Sequence, residues 1–343
     1  MPEVTVAVLT NAGGAHLDAY FAGLAATKEV EAVVVGDPSG ACANSAQKLL
    51  GDKLRRLERN HAKALAGLSP ALALVTTEAI QAPPIIRLAL DANCHVLAEK
   101  PSCVRLQDFD EVTRLADMKH RHLMLALANR LLGAVQHARK LLHDGAIGKV
   151  YGSELHIVAD QTRLKSPDYH RSWFADRERS GGGHLIWLGI HWIDLVMYVV
   201  GMDIVEAAGF TANVGGQPLK VEDSAAMAVR FENGALGTIT SGYYLDRGYH
   251  SHIKIWGSDG WMQLDTHGGE PLVWYGAKDS SSGVRRYDGP RDDSSYTPLV
   301  RAAVRASLDL EPPPISGADS LRVLRTVFAC YRAAETGRTQ RVS

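Results

Sequence analysis

The chain is poor in several features that would narrow its function at once. It has no charge excess: 37 basic side chains face 38 acidic ones across 343 residues. Proteins that track a phosphate backbone use a basic surplus, so no nucleic-acid partner is expected. Cysteine is scarce, and Cys42, Cys94, Cys103 and Cys330 form no C-x-x-C pair and no zinc-ligand spacing. No metal is expected, and reduced thiols suit a cytoplasmic protein. Apolar runs fall short of the ~20 residues that cross a bilayer. The stretch His184–Val200 comes closest, but His191 and Asp194 interrupt it. Met1-Pro2-Glu3 passes directly into Val4–Leu9, without the charged region and cleavage site of a secretory signal. No membrane partner is expected either.

What is present is ordinary globular material, 46% hydrophobic and 22% charged. The chain is longer than one core usually organises, so two domains are expected. The first third alternates short β-rich runs with helical patterns. Strands are read at Val4–Leu9, Glu31–Val35, Leu72–Val75, His95–Leu97 and Leu123–Ala126. Helices fall near His16–Ala26, Ala41–Leu50, Gln81–Ala92 and Gln107–Met118. This rhythm predicts an α/β, Rossmann-type doubly wound parallel sheet over residues 1–128. From 129 to 343 the rhythm changes to long period-2 segments: Val150–Ala159, Val205–Thr211, Ser224–Phe231, Ala235–Tyr243, Ser251–Trp256 and Trp261–Asp265. Glu232-Asn233-Gly234 between two of them is a hairpin signal. An α+β domain with a large, mostly antiparallel open sheet is predicted there, with a helix near Ala134–His143 and a late helix at Ser320–Ala334 that could pack back on the first domain. The polar stretch Lys278–Tyr296 reads as a surface loop.

Glycine is missing where a dinucleotide fingerprint would place it. The pattern G-x-G-x-x-G after the first strand would fall on positions 8, 10 and 13, which hold Val8, Thr10 and Gly13. The turn nevertheless opens a helix, whose free N–H groups and dipole favour a pyrophosphate. Thr10, Asn11 and Gly13 are its candidate contacts. Asp37 follows Gly13 by 24 residues, just past the second strand, where a carboxylate binds the adenosine ribose and repels a 2′-phosphate. This favours NAD over NADP. Asp37-Pro38-Ser39-Gly40 is equally good turn chemistry, and the two roles are compatible.

Two further segments carry chemistry. Glu99-Lys100-Pro101 follows a short strand at the carboxyl edge of the sheet, where open α/β folds bind ligands. A lysine beside a cationic nicotinamide would donate to, or relay a proton from, a substrate hydroxyl. Gly181-Gly182-Gly183 leads into an apolar helical pattern on which His184, Trp187, His191 and Asp194 form one polar stripe. A satisfied core histidine partnered by Asp194 is the competing explanation.

Together these segments resemble the glucose–fructose oxidoreductase, inositol dehydrogenase and MocA family of two-domain NAD(P)-dependent sugar oxidoreductases. The resemblance extends to Gly145-Ala146-Ile147-Gly148, Glu222-Asp223, Asn233-Gly234 and Ala334-Glu335-Thr336-Gly337. It implies that Lys100 touches nicotinamide and substrate hydroxyl, and that His191 is the general acid/base. It implies that Thr76, Glu99 and Pro101 line the nicotinamide side of the groove, with Asn129 near the carboxamide. Where the family usually has an aspartate four residues before the histidine, this chain has Trp187, which can stack on a sugar ring. Arg163, Trp173, Trp187, Asp194 and His250 join Lys100 and His191 as candidate substrate contacts.

The implied activity is hydride transfer between NAD(P) and a secondary hydroxyl of a sugar, glycoside or polyol. Two alternatives stay open: an NAD-dependent glycosidase working by transient oxidation and elimination, and a non-catalytic NAD(P)-binding regulator. The open sheet face predicts a homodimer or homotetramer.

Overall fold

The computed structural model describes residues 3–278, 283–290 and 296–343. Residues 279–282 and 291–295 of the expected polar loop lie outside the described residues. The chain forms two compact units. The first comprises Met1–Ala128, Glu178–Gly181 and Asp293–Leu321, and the second comprises Asn129–Arg177, Gly182–Asp292 and Arg322–Ser343.

The first unit is built on six parallel strands, β1 Val4–Thr10, β2 Val30–Gly36, β3 Leu54–Glu58, β4 Leu72–Thr76, β5 His95–Ala98 and β6 Leu123–Leu125. Their order is β3-β2-β1-β4-β5-β6. Runs such as Val33-Val34-Val35 and Leu72-Ala73-Leu74-Val75 are buried along their whole length, as strands covered on both faces must be. Strand β3, Leu-Arg-Arg-Leu-Glu, alternates half-exposed and exposed positions and closes one edge of the sheet. Sequence reasoning missed it because an edge strand this short and charged carries little periodic signal. The crossover helices are α1 Leu17–Ala26, α2 Ala43–Leu50, α3 His61–Leu65, α4 Ala82–Asp91 and α5 Leu106–Met118. Asn60 caps α3 by accepting from Lys63 N at 3.0 Å, and proline in the first turn starts α4. The order reverses beside β1, so the carboxyl ends of β1 and β4 flank a topological switch point, where such sheets bind ligands.

The second unit carries nine strands around β7 Val150–Asp160. The others are β8 Ile204–Ala212, β9 Ser224–Phe231, β10 Leu236–Leu245, β11 Tyr249–Gly257, β12 Gly260–Leu264, β13 Leu272–Gly276, β14 Arg285–Arg286 and β15 Gln340–Arg341. All pairings are antiparallel except β7 with β10. The Asn233-Gly234 hairpin joins β9 to β10, with Gly234 at φ 85°. One sheet face buries Leu155, Ile157, Met227, Ile239, Ile253 and Ile255. Helix α6 Gly133–His143 packs on β12 and β13, and the Ile190–Val200 helix packs on β7. The opposite face leaves Phe210, Leu236 and Trp256 exposed.

The helical stretch Arg177–Val200 is long and apolar enough to cross a bilayer, but 72% of its most apolar window is buried in the fold, as a core helix requires. One buried ion pair anchors it. Arg130 donates from Nε to Asp194 Oδ1 and Oδ2 at 2.8 and 3.0 Å, and from Nη2 to Oδ1 at 2.6 Å. Both side chains are at most 4% exposed. Removing one partner of such a pair strands a charge in the core. Arg130→Met should therefore cost about 3–5 kcal/mol of unfolding free energy. Arg130→Met with Asp194→Leu should recover much of the loss. Urea denaturation of the two variants measures both effects, and an Arg130→Met protein as stable as the parent would contradict the assignment.

Candidate active site

In the first unit the β1–α1 turn is shaped by contacts that only small residues allow. Gly13 sits at φ 89°. A Cβ on Gly14 would lie 2.3 Å from Thr10 Oγ1 and 2.5 Å from Thr76 O, so the turn packs against the sheet with no room for a side chain. Thr10 Oγ1 donates to Thr76 O at 2.8 Å, and Thr76 Oγ1 donates to Ala15 O at 2.7 Å. Asn11 Nδ2 donates to Gln81. Thr10 and Thr76 are thus fully buried braces of the turn. The turn opens onto a groove of about 550 Å³, bordered by Asn11, Gly13, Gly14, His16, Ala41 and Ser45 at the start of α1. Backbone positive φ, a close-packed glycine and a helix N-terminus over an open groove fit a dinucleotide pyrophosphate. The degenerate fingerprint therefore keeps its two steric functions in Gly13 and Gly14. Asp18, which sequence reasoning did not single out, also borders the groove and accepts from Ser45 Oγ.

Asp37 closes the β2–α2 turn. Its Oδ1 accepts from Ser39 N at 3.0 Å and Ser39 Oγ at 2.6 Å, and its Oδ2 accepts from Cys42 N at 3.0 Å. Burial pushes this carboxyl up, but the hydrogen bonds outweigh it and hold the group below its ordinary range. The turn-forming role is therefore real, and it keeps a negative charge at the end of β2.

At the end of β5, Glu99 and Lys100 are both buried, with side chains 1% exposed. Glu99 Oε2 accepts from Tyr20 Oη and lies 3.2 Å from His16 Nδ1. His16 stacks on Tyr296 at 4.9 Å, and Tyr20 meets the same ring edge-on. The other carboxylate oxygen lies 4.0 Å from Lys100 Nζ. Glu99 is thus turned into the α1 packing, with its other oxygen only within ion-pair range of the lysine beside it. Pro101 is likewise buried.

In the second unit a carboxylate again sets the geometry. Glu222 Oε2 accepts from Gly183 N at 2.7 Å, and its Oε1 accepts from Leu185 N at 3.0 Å and Tyr331 Oη at 2.7 Å. A Cβ on Gly183 would meet Glu222 O at 1.9 Å, so glycine is obligatory there. The chain then enters a π-helical turn, Leu185–Gly189, that runs into the Ile190–Val200 helix. On this helix Trp187, Leu188 and His191 are partly exposed while their neighbours are buried. Trp187 packs edge-on against Phe174 at 4.5 Å and Trp173 at 5.6 Å.

The stripe read from sequence divides in two. Trp187 and His191 reach an open face, whereas His184 is fully buried, its Nδ1 2.6 Å from Ser241 Oγ. Asp194 is consumed by Arg130, so the core-partner explanation holds for Asp194 with an arginine in place of the histidine. Trp173 is 3% exposed and supports Phe174 from behind. His250 alternates with buried Ser251 onto the outer sheet face, the side of His156 and His252, away from the helix. Asn129 opens the second unit in a short 3-10 turn. Arg163, half-buried after β7, lies over the Tyr243 ring at 5.3 Å. Glu222 was legible only as part of the Glu222-Asp223 motif, and Tyr331 had no signal, because the partners that define their roles lie 39 and 145 residues away.

Residues 10–127 match the oxidoreductase family with an NAD-binding Rossmann fold, and residues 135–263 match the GFO/IDH/MocA C-terminal domain. The chain belongs to the GFO/IDH/MocA family. It is an NAD-binding oxidoreductase. Myo-inositol 2-dehydrogenase of Thermotoga maritima is 26% identical over 255 residues, 72% of each chain. The 1,5-anhydro-D-fructose reductase of Ensifer adhaerens is 24% identical over 74% of each chain. Among solved structures, an oxidoreductase domain protein from Kribbella flavida superposes with a TM-score of 0.90 at 23% identity, over the whole of both chains. Levoglucosan dehydrogenase in complex with NADH and L-sorbose gives 0.88 at 19% identity, again over both whole chains. At these identities the two structures show the shared fold.

Burial drives the His184 pKa down to about 3, with the nearby Arg163 adding to the effect. The unfolded chain takes up a proton near 6.5, so the folded form loses stability as pH falls below that value. The loss is about 2 kcal/mol at pH 5 and is absent above pH 7. Thermal denaturation at pH 7.5 and 5.0 should show this acid lability. His184→Gln should flatten the difference, and a variant that keeps the parent's full pH dependence would refute the assignment.

Proposed function

We propose that this GFO/IDH/MocA protein oxidises a secondary hydroxyl of a sugar or polyol, with Lys100 and His191 as its catalytic residues. The observation that carries this reading is the pinned lysine. Lys100 is buried at the carboxyl edge of the parallel sheet beside a carboxylate that Tyr20 and His16 already hold. Its ammonium is withdrawn from solvent, which strengthens an electrophilic contact to a carbinol oxygen. His191, on the open stripe, takes the hydroxyl proton as general base. Bound NAD supplies the hydride acceptor. Trp187 offers an indole where relatives usually place an aspartate, and so contributes a stacking surface for a sugar ring. Asp37 supports NAD over NADP, because a fixed carboxylate at the end of β2 repels a 2′-phosphate.

Lys100→Met and His191→Ala should each lower kcat/KM by roughly 10²–10⁴-fold. The double variant should lose much less than the product, as residues acting on one proton transfer do. Stopped-flow or steady-state NADH formation across a sugar and polyol panel measures this. Near-native turnover in His191→Ala would sink the proposed base. Product release without net NADH would identify transient oxidation and elimination in place of dehydrogenation.

A homodimer through the outer face of the nine-stranded sheet completes the reading. Phe210 is 77% exposed there, beside a hollow of about 580 Å³ lined by Ala208, Ala226, Ala228, Thr238 and Thr240. A two-fold axis would seat the ring of one copy in the hollow of the other. The four buried, unbridged cysteines suit the reducing cytoplasm. Phe210→Asp should convert the sedimenting species to monomer, and a parent that sediments as a monomer at all concentrations would end the proposal.

A further inference from the structure

Immediately after β7 the chain makes a short 3-10 turn, Thr162–Lys165, that carries Arg163 back over the sheet. The guanidinium lies 5.3 Å from the centre of the Tyr243 ring, with Tyr169 and Tyr249 also beside it. The neighbouring acids each have a partner of their own, and only Asp160 lies close enough to feel the Arg163 charge. Asp160 accepts from Thr162 N at 2.7 Å, Asp246 faces Lys165 at 3.7 Å, and Asp168 takes Arg171. Among the described residues no carboxylate bridges Arg163. A half-buried guanidinium has five N–H donors in a fixed plane; one is taken by the Tyr249 hydroxyl, and stacking on the Tyr243 ring satisfies none of the others.

A second observation points into the same place. The His184 imidazole stands edge-on to Tyr243 at 4.4 Å. Its Nδ1 is taken by Ser241, while the fully buried Nε2 has no hydrogen-bond partner among the described residues. The cluster leads toward the candidate base. Leu188, one turn from His191, packs against the Ala159, Leu164 and Tyr243 core. Tyr169 stacks on Phe174, and Phe174 meets Trp187. A strip of aromatic faces thus runs from Arg163 to the helix turn that carries His191.

We infer that Arg163 determines specificity and that the physiological substrate is an acidic sugar, bearing a carboxylate at the end remote from the oxidised hydroxyl. This rests on the oxidoreductase reading above. One guanidinium matches one carboxylate with two parallel hydrogen bonds, and the tyrosine hydroxyls add neutral donors. A phosphate dianion needs a second available cation; Lys165 and Arg171 are already paired, and Arg247 lies beside Asp160, which offsets its charge.

The test uses the NAD-loaded protein and matched sets: hexuronates, their parent hexoses, and the hexose 6-phosphates. Calorimetry should show a hexuronate binding at least about tenfold tighter than its hexose. In Arg163→Gln the affinity and KM for the acid should worsen by roughly 10–100-fold more than for the hexose, the worth of a lost charged hydrogen bond. Its kcat should change much less. Arg163→Lys should restore only part of the loss, because an ammonium cannot make the bidentate contact. An equal loss on acid and hexose, or tighter binding of the 6-phosphate, overturns the inference. Net NADH from hexoses without any preference for acids overturns it and leaves the oxidoreductase reading standing. Arg163-dependent binding of a hexuronate with no NADH from any sugar does the reverse.

Discussion

The second unit depends on one buried carboxylate. Glu222 collects two backbone N–H groups at the glycine turn and one tyrosine hydroxyl, and this fixes where the helix carrying His191 begins. Helix N-termini have unsatisfied donors, and an acidic side chain placed on them is favourable both as a hydrogen-bond acceptor and against the dipole. Burial pushes the Glu222 pKa up, while the same three donors pull it down. The glycines follow from this contact, since only a residue without Cβ lets the backbone come so close to Glu222. A catalytic side chain must be held to a fraction of an ångström. For the candidate base His191, such placement would rest on an acid far away in the chain.

The first unit repeats the device with different parts. Glu99 is pinned by Tyr20 and His16, and its free edge faces Lys100. In both units a tyrosine hydroxyl donates into a buried carboxylate, and in both the tyrosine is held neutral, its pKa raised by burial and the adjacent negative charge. Neither carboxylate is placed to react. Glu222 fixes a helix start, and Glu99 places a negative charge 4.0 Å from the Lys100 ammonium.

Much of this was legible in sequence, for a physical reason. Short apolar runs and period-2 and period-3.6 patterns report burial, so β1, β2, β4, β9, β10 and most helices could be read directly. Short polar edges such as Leu54–Glu58 carry no such pattern. Motif spacing singled out Lys100 and His191 as candidates because each sits at the end of a well-marked element. It misjudged Asp194 and left His250 undecided, because a stripe on a helix or strand says which residues share a side and not which partner fills it. Arg130 reaches Asp194 across 64 residues, and Tyr331 reaches Glu222 across 109. No local pattern encodes such meetings.

The first unit is discontinuous in the chain, and this has a consequence for how the protein comes into being. Tyr296, the ring that shields His16 and Tyr20, arrives with the late segment, as does the Thr297–Ser307 helix that packs on α1. During synthesis the parallel sheet is complete once β6 has emerged, yet its ligand-facing side lacks these covering groups for more than a hundred further residues. The nucleotide-binding unit is therefore finished only near the end of translation, after most of the second unit has been made. A cut at residue 128 would yield a sheet with an uncovered helix, not a domain. Exchange of this unit by a single crossover at residue 128 would leave behind the late segment that packs on it.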